Sequence, residues 1–483
     1  MAKGTLYLML ANALFALVGY IIHFWLGRQL GPIDYGAFGV VLYLMTTVNL
    51  LLTSGVPQSA SKYIAEDNSR IDSIIREANK IQLVFSVVIF GLYFGLAGVI
   101  ADLLGDASLT PYIRISSLAI PTYALYSVYS AGYLNGLRRF GRQAISTTGV
   151  SLAKVTLVFT LVAVGLGIKG ALTGYITSAI VGFVFAWRFL KPRAWQQSNF
   201  DWKKLGAFGL PATLFAAAFF LLMSIDLFVV KSIVPDEAQV GFYTSATTIS
   251  KVPFYFFTGL AVTLLPSISK ATANNDIELT KNYIGQSLRY LLMLLVPGML
   301  LISATSADLV TLVYSSQYAA AGSALSILAF GTGLLTIFYV LAHIVLGSGK
   351  PWIILIITLV AAGICITLNL LLIPEYGLSG AAWATTITGV FCVVITGTYI
   401  LFRFRTLVSL LSLIRISVIS TVIYLIAHYI SISPGWLPLL YIGLVVLYIG
   451  LLIITREITG KDLTIVKSMI PGERYPGGDN TMP

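Results

Sequence analysis

Apolar stretches of about 20 residues, the length a helix needs to cross the hydrocarbon core of a bilayer, recur from one end of this chain to the other. Fourteen can be marked, at 5–29, 36–60, 79–101, 112–134, 145–167, 169–190, 206–231, 240–266, 284–305, 321–347, 352–373, 378–402, 412–432 and 436–455. In lipid each backbone N–H and C=O must be satisfied inside its own segment, so isolated runs of this length are helices. The expectation is an all-α polytopic membrane protein. With 57% hydrophobic and only 10% charged residues, the chain has far less charge than the roughly 25% typical of a soluble domain. Ala11-Asn12-Ala13 looks like a leader cleavage site, but the apolar run before it is short and the run after it continues, so span 1 is read as retained.

A net charge of +11 invites a nucleic-acid reading, and its placement argues against one. With the N-terminus in the cytoplasm, 24 of the 30 Lys and Arg fall on the cytoplasmic side. Arg28, Arg114, Lys169 and Lys231 fall on the other side, and Lys154 and Lys251 lie within spans. This is the positive-inside bias. It puts both termini in the cytoplasm, in an inner (cytoplasmic) cell membrane, with no nucleic-acid partner required. Cys365 and Cys392 lie within spans and are expected to be inert packing.

The chain also repeats itself. Gly165–Leu172 reads GLGIKGAL and Glu375–Ala382 reads EYGLSGAA, which matches Gly167 with Gly377 and Gly170 with Gly380. Leu134-Asn135-Gly136 matches Val345-Leu346-Gly347, and Pro57 is matched with Pro266. The offset drifts from about 203 to 211 residues. An even number of spans per copy makes the copies parallel repeats, whose interface is where secondary transporters place their substrate. The expected organisation is an N-lobe at 1–191 (spans 1–6), a cytoplasmic linker at 192–204, a C-lobe at 205–403 (spans 7–12), spans 13–14 at 404–460, and a disordered cytoplasmic tail at 461–483.

No catalytic motif is seen, so the chain is read as a non-enzyme. The three histidines have no metal-like spacing, and Gly347-Ser348-Gly349-Lys350 lacks the first glycine and the Ser/Thr of a phosphate loop. No cofactor is expected beyond coupling to a proton or sodium gradient. What remains is charge inside the membrane, which is costly and reads as functional by default. Lys154 and Lys251 are too deep to snorkel easily and are candidate substrate-binding cations. Arg28 and Lys231, repeat-equivalent near the outer ends of spans 1 and 7, are candidate contacts to an anionic substrate, with interfacial anchoring as the alternative. Asp226, opposite His23 in the repeat register, is a candidate ion-coupling residue, or else an ion-pair partner of Lys251 or Lys231. Arg114 and Arg289 are read as snorkelling anchors.

LGRQLGPIDYGAFGVV at Leu26–Val41, followed by SGVPQSASKYIAE at Ser54–Glu66, resembles the N-terminal signature of polysaccharide-exporter (O-antigen-type) flippases. These belong to the multidrug/oligosaccharidyl-lipid/polysaccharide exporter superfamily. FGLPATL at Phe208–Leu214 and YGLSGAAWAT from Tyr376 are similar to that family too. The resemblance implies a V-shaped, two-lobed bundle that moves undecaprenyl-diphosphate-linked oligosaccharide to the outer leaflet by alternating access. Partners would be that glycolipid, the bilayer and other glycan-assembly membrane proteins. Cavity arginines of the family in spans 1 and 2 have only Arg28 as a counterpart here, which shifts the expectation to Lys154 and Lys251. A drug or small-solute antiporter of the same superfamily and a lipid II flippase are the alternatives.

Overall fold

The computed structural model describes residues 2–67, 70–190, 201–274, 276–430, 432–460 and 462. Most of the expected linker and tail lies outside these residues. The described residues are helical throughout, with no strand among them. Nine helices among them are long and apolar enough to cross a membrane. Three of these are double length: Ala2–Glu66, Phe140–Leu190 and Pro351–Phe404. Straight, 65 residues would run about 100 Å, three times the hydrocarbon thickness.

Each double helix instead reverses at glycine. Twelve residues of straight helix would hold His23 and Tyr35 about 18 Å apart. Their side chains lie 3.1 Å apart, because the chain turns at Gly31 with φ +73°. The other two turns are one device used twice. Gly167 has φ 50° and ψ −133°, and its repeat mate Gly377 has φ 56° and ψ −135°. That conformation is open only to glycine. Three residues on, Gly170 and Gly380 abut the backbones of Leu161 and Leu372 across the turn. The bent pair Trp202–Leu222 and Ile225–Ile233 adds one crossing, and the run Thr110–Leu134 adds another. The fourteen expected spans are thereby all present among the described residues. An even number of crossings brings both ends of the described chain to one end of the bundle; the opposite end is called distal below.

The two lobes meet on their pseudo-twofold axis. Gly36 of span 2 sits against Gly241 of span 8, and Gly39 against Thr244. Both pairs stand at the repeat offset, so equivalent positions touch their own mates, as only residues on a twofold axis do. This register corrects one sequence match. Gly136 packs on Ser61 and Ile64, and its mate Gly347 packs on Leu265 and Ile268. Ser61 thus answers to Leu265 and Ile64 to Ile268, which sets Ala261, and not Pro266, opposite Pro57. Pro266 therefore stands more than one helical turn away from the position equivalent to Pro57.

Buried side chains from both lobes form one continuous core toward the distal end, including Leu26, Phe38, Tyr243 and Tyr314. The C-lobe has a second core of its own. Spans 13 and 14 pack on span 9 through Met293, Ile416 and Tyr448. A polar clamp holds them there. Arg289 of span 9 pairs with Glu457 at 2.8 Å and Asp462 at 3.0 Å, and Arg415 reaches Glu457 at 3.6 Å. Arg289 is thus an ion-pair hub rather than the snorkelling anchor expected.

Candidate functional site: charged groups between the lobes

Span 5 carries Lys154 on the face it turns toward spans 1 and 6. Lys154 is 4% exposed, and its ammonium lies over the Phe15 ring at 4.0 Å and the Tyr175 ring at 4.8 Å. Lys251 stands where span 8 breaks between Glu237–Ser250 and Val252–Ala273, with Pro253 beginning the next turn. It too is 4% exposed, and its ammonium lies 4.0 Å above the Tyr43 ring of span 2. Neither lysine has a carboxylate within 4.0 Å among the described residues. His23 of span 1 is within electrostatic reach of both. The fold therefore brings one buried cation from each lobe to the same stretch of spans 1 and 2.

A desolvated ammonium over a ring gains about 2 kcal/mol. Removing it from water costs several. The rings offset only part of that cost. Lys251 has the Asp226 carboxylate within electrostatic reach, beyond 4.0 Å, whereas Lys154 has no such neighbour among the described residues, so a further anion would complete the pair. A phosphate oxygen or a sugar acid has the sign and hardness to supply it, and a cationic ligand has neither.

Asp226 is 2% exposed in the first turn of Ile225–Ile233. One carboxylate oxygen accepts from the Leu227 N–H at 2.8 Å. The other accepts from the Tyr243 hydroxyl at 2.8 Å and the Thr385 hydroxyl at 3.0 Å. Asp226 makes no ion pair among the described residues, and Lys231 is engaged elsewhere. Asn369, in the same lobe, donates to the Cys365 carbonyl while its own buried Oδ1 has no partner among the described residues. Tyr243, Thr385 and Asn369 escaped the sequence reading because hydroxyls and amides at helical spacing look like ordinary packing. The one available signal was their repeat register with N-lobe residues.

That register shows a duplicated interior site. His23, Phe38, Lys154 and Tyr175 in the N-lobe correspond to Asp226, Tyr243, Cys365 and Thr385 in the C-lobe, within the drift of the repeat offset. Both sets are assembled. Phe38 packs between His23 and Tyr175, with ring centroids 6.1 and 6.0 Å away, and Lys154 covers Tyr175. Asp226 bonds Tyr243 and Thr385 and lies within electrostatic reach of Cys365. One copy is basic and the other acidic.

Arg28 and Lys231 stand apart from this group, at the distal end. Arg28 donates from Nε to the Val313 carbonyl at 2.9 Å and from Nη2 to the Leu312 carbonyl. Lys231 pairs with Asp106 at 2.7 Å and comes within 4.0 Å of Glu237. Between these grips and the interior lysines lies a knot of tyrosines. The Tyr35 hydroxyl meets those of Tyr314 at 2.8 Å and Thr248 at 3.4 Å, and His23 Nδ1 at 3.1 Å. Tyr318 donates to the Gly27 carbonyl at 2.7 Å. Its residues come from both lobes, so they bar the way from the distal end to the interior.

Comparison with known proteins places the chain. Residues 1–272 match the model of the polysaccharide biosynthesis protein family, and residues 211–371 match the MatE model. An uncharacterized membrane protein of Methanocaldococcus jannaschii, MJ1375, is 25% identical over 84% of this chain and 99% of its own length. The probable low-salt glycan biosynthesis flippase Agl15 of Haloferax volcanii is 20% identical over 80% of this chain and 81% of its own length. Among solved structures, a lipid II flippase MurJ in an inward closed conformation superposes with a TM-score of 0.75. That alignment covers 92% of this chain and 99% of that one, at 15% identity.

Proposed function

The chain belongs to the polysaccharide biosynthesis protein family, a branch of the superfamily that also holds the multidrug exporters, and from that premise we propose that this membrane flippase moves an undecaprenyl-diphosphate-linked oligosaccharide between leaflets. It does so as a transporter rather than an enzyme, by alternating access, with both termini cytoplasmic and the distal end outside. The observation that carries the reading is the pair of buried ammoniums, Lys154 and Lys251, one per lobe and each without a carboxylate within 4.0 Å among the described residues. A diphosphate carries the charge such a pair lacks. Ligands bridging the two lobes are held only while the lobes are together, which links binding to movement.

Asp226 is the coupling residue in this reading, with His23 as its basic counterpart. A buried carboxylate held by three donors can exchange its hydroxyl partners for a proton or a sodium ion. Arg28 and Lys231 become free for the anionic headgroup only when their present partners let go, so they serve an outward-open state.

The test is transport in liposomes. A fluorescent undecaprenyl-diphosphate oligosaccharide and a cationic dye are followed together. Movement of the glycolipid and not the dye, lost in Lys154→Ala with insertion intact, is the expected result. Movement of the dye alone would place the protein among the drug antiporters. Preference for a lipid II analogue would favour a peptidoglycan precursor, a reading supported by the MurJ superposition only at the level of fold.

A further inference from the structure

Arg28 and Lys231 are repeat mates, and each grips the opposite lobe at the same place. Arg28, on N-lobe span 1, takes the last carbonyls of Ser306–Val313, which ends C-lobe span 9. Lys231, on C-lobe span 7, takes Asp106, just past Ala97–Leu103, which ends N-lobe span 3. Spans 3 and 9 are themselves mates, and the two targets fall within the drift of the repeat offset. The grips are thus one contact made twice about the pseudo-twofold axis.

Their surroundings are built to seat them. Gly105, with φ +70°, brings the Asp106 loop against the Ser232 carbonyl at the end of span 7. Tyr314, next to the carbonyls that Arg28 grips, sets one ring edge against Gly27, where a Cβ would run into the ring. Asp106 is fixed in turn by accepting from the Ser108 N–H at 2.9 Å. Neither cation's partner belongs to its own lobe, apart from Glu237 at 4.0 Å from Lys231.

We propose that Arg28 and the Lys231–Asp106 pair are matched latches that hold the outer ends of the lobes together, and that releasing them is the step that opens the bundle outward. The proposal rests on the alternating-access reading but needs no assumption about the substrate. The two latches differ in kind. Arg28 holds neutral carbonyls at a helix C-terminus, where the negative end of the helix dipole favours it. Lys231 holds a full charge at 2.7 Å, with the two side chains 7% and 13% exposed, so removing the Asp106 charge leaves its ammonium without that partner. An anion reaching the outer ends would compete with neutral carbonyls for the exposed Arg28 and with Asp106 for Lys231.

The experiment measures the separation of the outer ends directly. Lys169 and Glu375 are exposed at the turns between spans 5 and 6 and between spans 11 and 12, one per lobe and away from both latches. Lys169→Cys and Glu375→Cys accept spin labels while the native Cys365 and Cys392 stay buried. Pulsed dipolar distances in liposomes, without substrate, are expected to show one dominant short separation. Asp106→Asn should raise the long-distance fraction several-fold, Lys231→Met at least as much, and Glu237→Gln should leave it unchanged. Asp106→Asn keeps the shape of a loop residue, so it tests the latch even if Lys231→Met folds poorly. An Asp106→Asn distribution that overlays the parent would overturn the proposal, as would an equal shift in Glu237→Gln. If the distances shift while no glycolipid moves in the transport assay, the latch stands and the substrate reading falls.

Discussion

At the scale of single residues, sign and partner decide role. Lys154 and Lys251 were legible in sequence because charge at that depth is rare. What sequence could not show is that rings, and not carboxylates, face them, since the partners come from other spans. Replacing either with Met keeps the volume and removes the ammonium. Glycolipid movement in Lys154→Met and Lys251→Met is expected to fall at least tenfold with normal insertion, and near-parental rates in both would remove the anion site. Asp226→Asn keeps the side-chain shape but cannot titrate, and its amide nitrogen cannot accept a bond where a carboxylate oxygen did. Uptake in it should no longer respond to an imposed proton or sodium gradient, and an unchanged response would leave Asp226 as a packing group.

Asp106 shows how a latch can be electrostatic without being an acid switch. Burial pushes its carboxyl up, but bonds from Lys231 and Ser108 outweigh this and hold it below the ordinary carboxylate range. A depressed value means the contribution is complete above about pH 4 and is lost only as pH falls further. Outer-end separation should therefore stay constant between neutral and mildly acidic pH. It should respond only weakly to ionic strength as well, because the two side chains are 7% and 13% exposed and salt screens such a pair little. Opening between pH 7 and 5 at fixed salt would show that another group governs closure.

At the scale of elements, glycines carry the architecture. Two of the double helices turn inside the repeated segments GLGIKGAL and EYGLSGAA, at Gly167 and Gly377, and the third turns at Gly31. The pairing of Gly36 with Gly241 was hidden, since nothing local marks a helix crossing on a pseudo-twofold axis. A Cβ on Gly241 would collide with the Pro32 carbonyl oxygen, a backbone atom that cannot step aside. Gly241→Ala should therefore force the lobes apart and lower the melting temperature of the purified protein. Gly443→Ala, in open surroundings on span 14, should match or exceed the parent, since Ala favours a helix by about 1 kcal/mol. Equal melting of the two variants would mean that the crossing contributes nothing to stability.

For the whole molecule, the repeat is what sequence conveyed best and the appended hairpin what it conveyed least. Spans 13 and 14 have no mate, so no periodicity announces where they dock. The anchor is the Arg289 clamp, whose acidic partners lie far downstream, beyond the last span. Arg289→Ala would leave Glu457, 2% exposed, with only the longer Arg415 contact. Breaking a buried pair from one side costs about 3–5 kcal/mol. Protease cleavage after span 12 should accelerate markedly in that variant if the hairpin detaches, and an unchanged digestion pattern would mean that packing on Met293 and Tyr448 suffices.

The duplicated interior site has a consequence for how such a carrier can be assembled. Two identical six-span subunits pairing about a true twofold axis would be forced to place the same group at both positions, two acids or two bases. Joining the halves in one polypeptide lifts that constraint. His23 and Lys154 can occupy one half while Asp226 and Cys365 occupy the other, so a single molecule carries basic groups on one side of the seam and an acidic group on the other. A fused chain can encode that asymmetry in one gene product, where a pair of identical halves cannot.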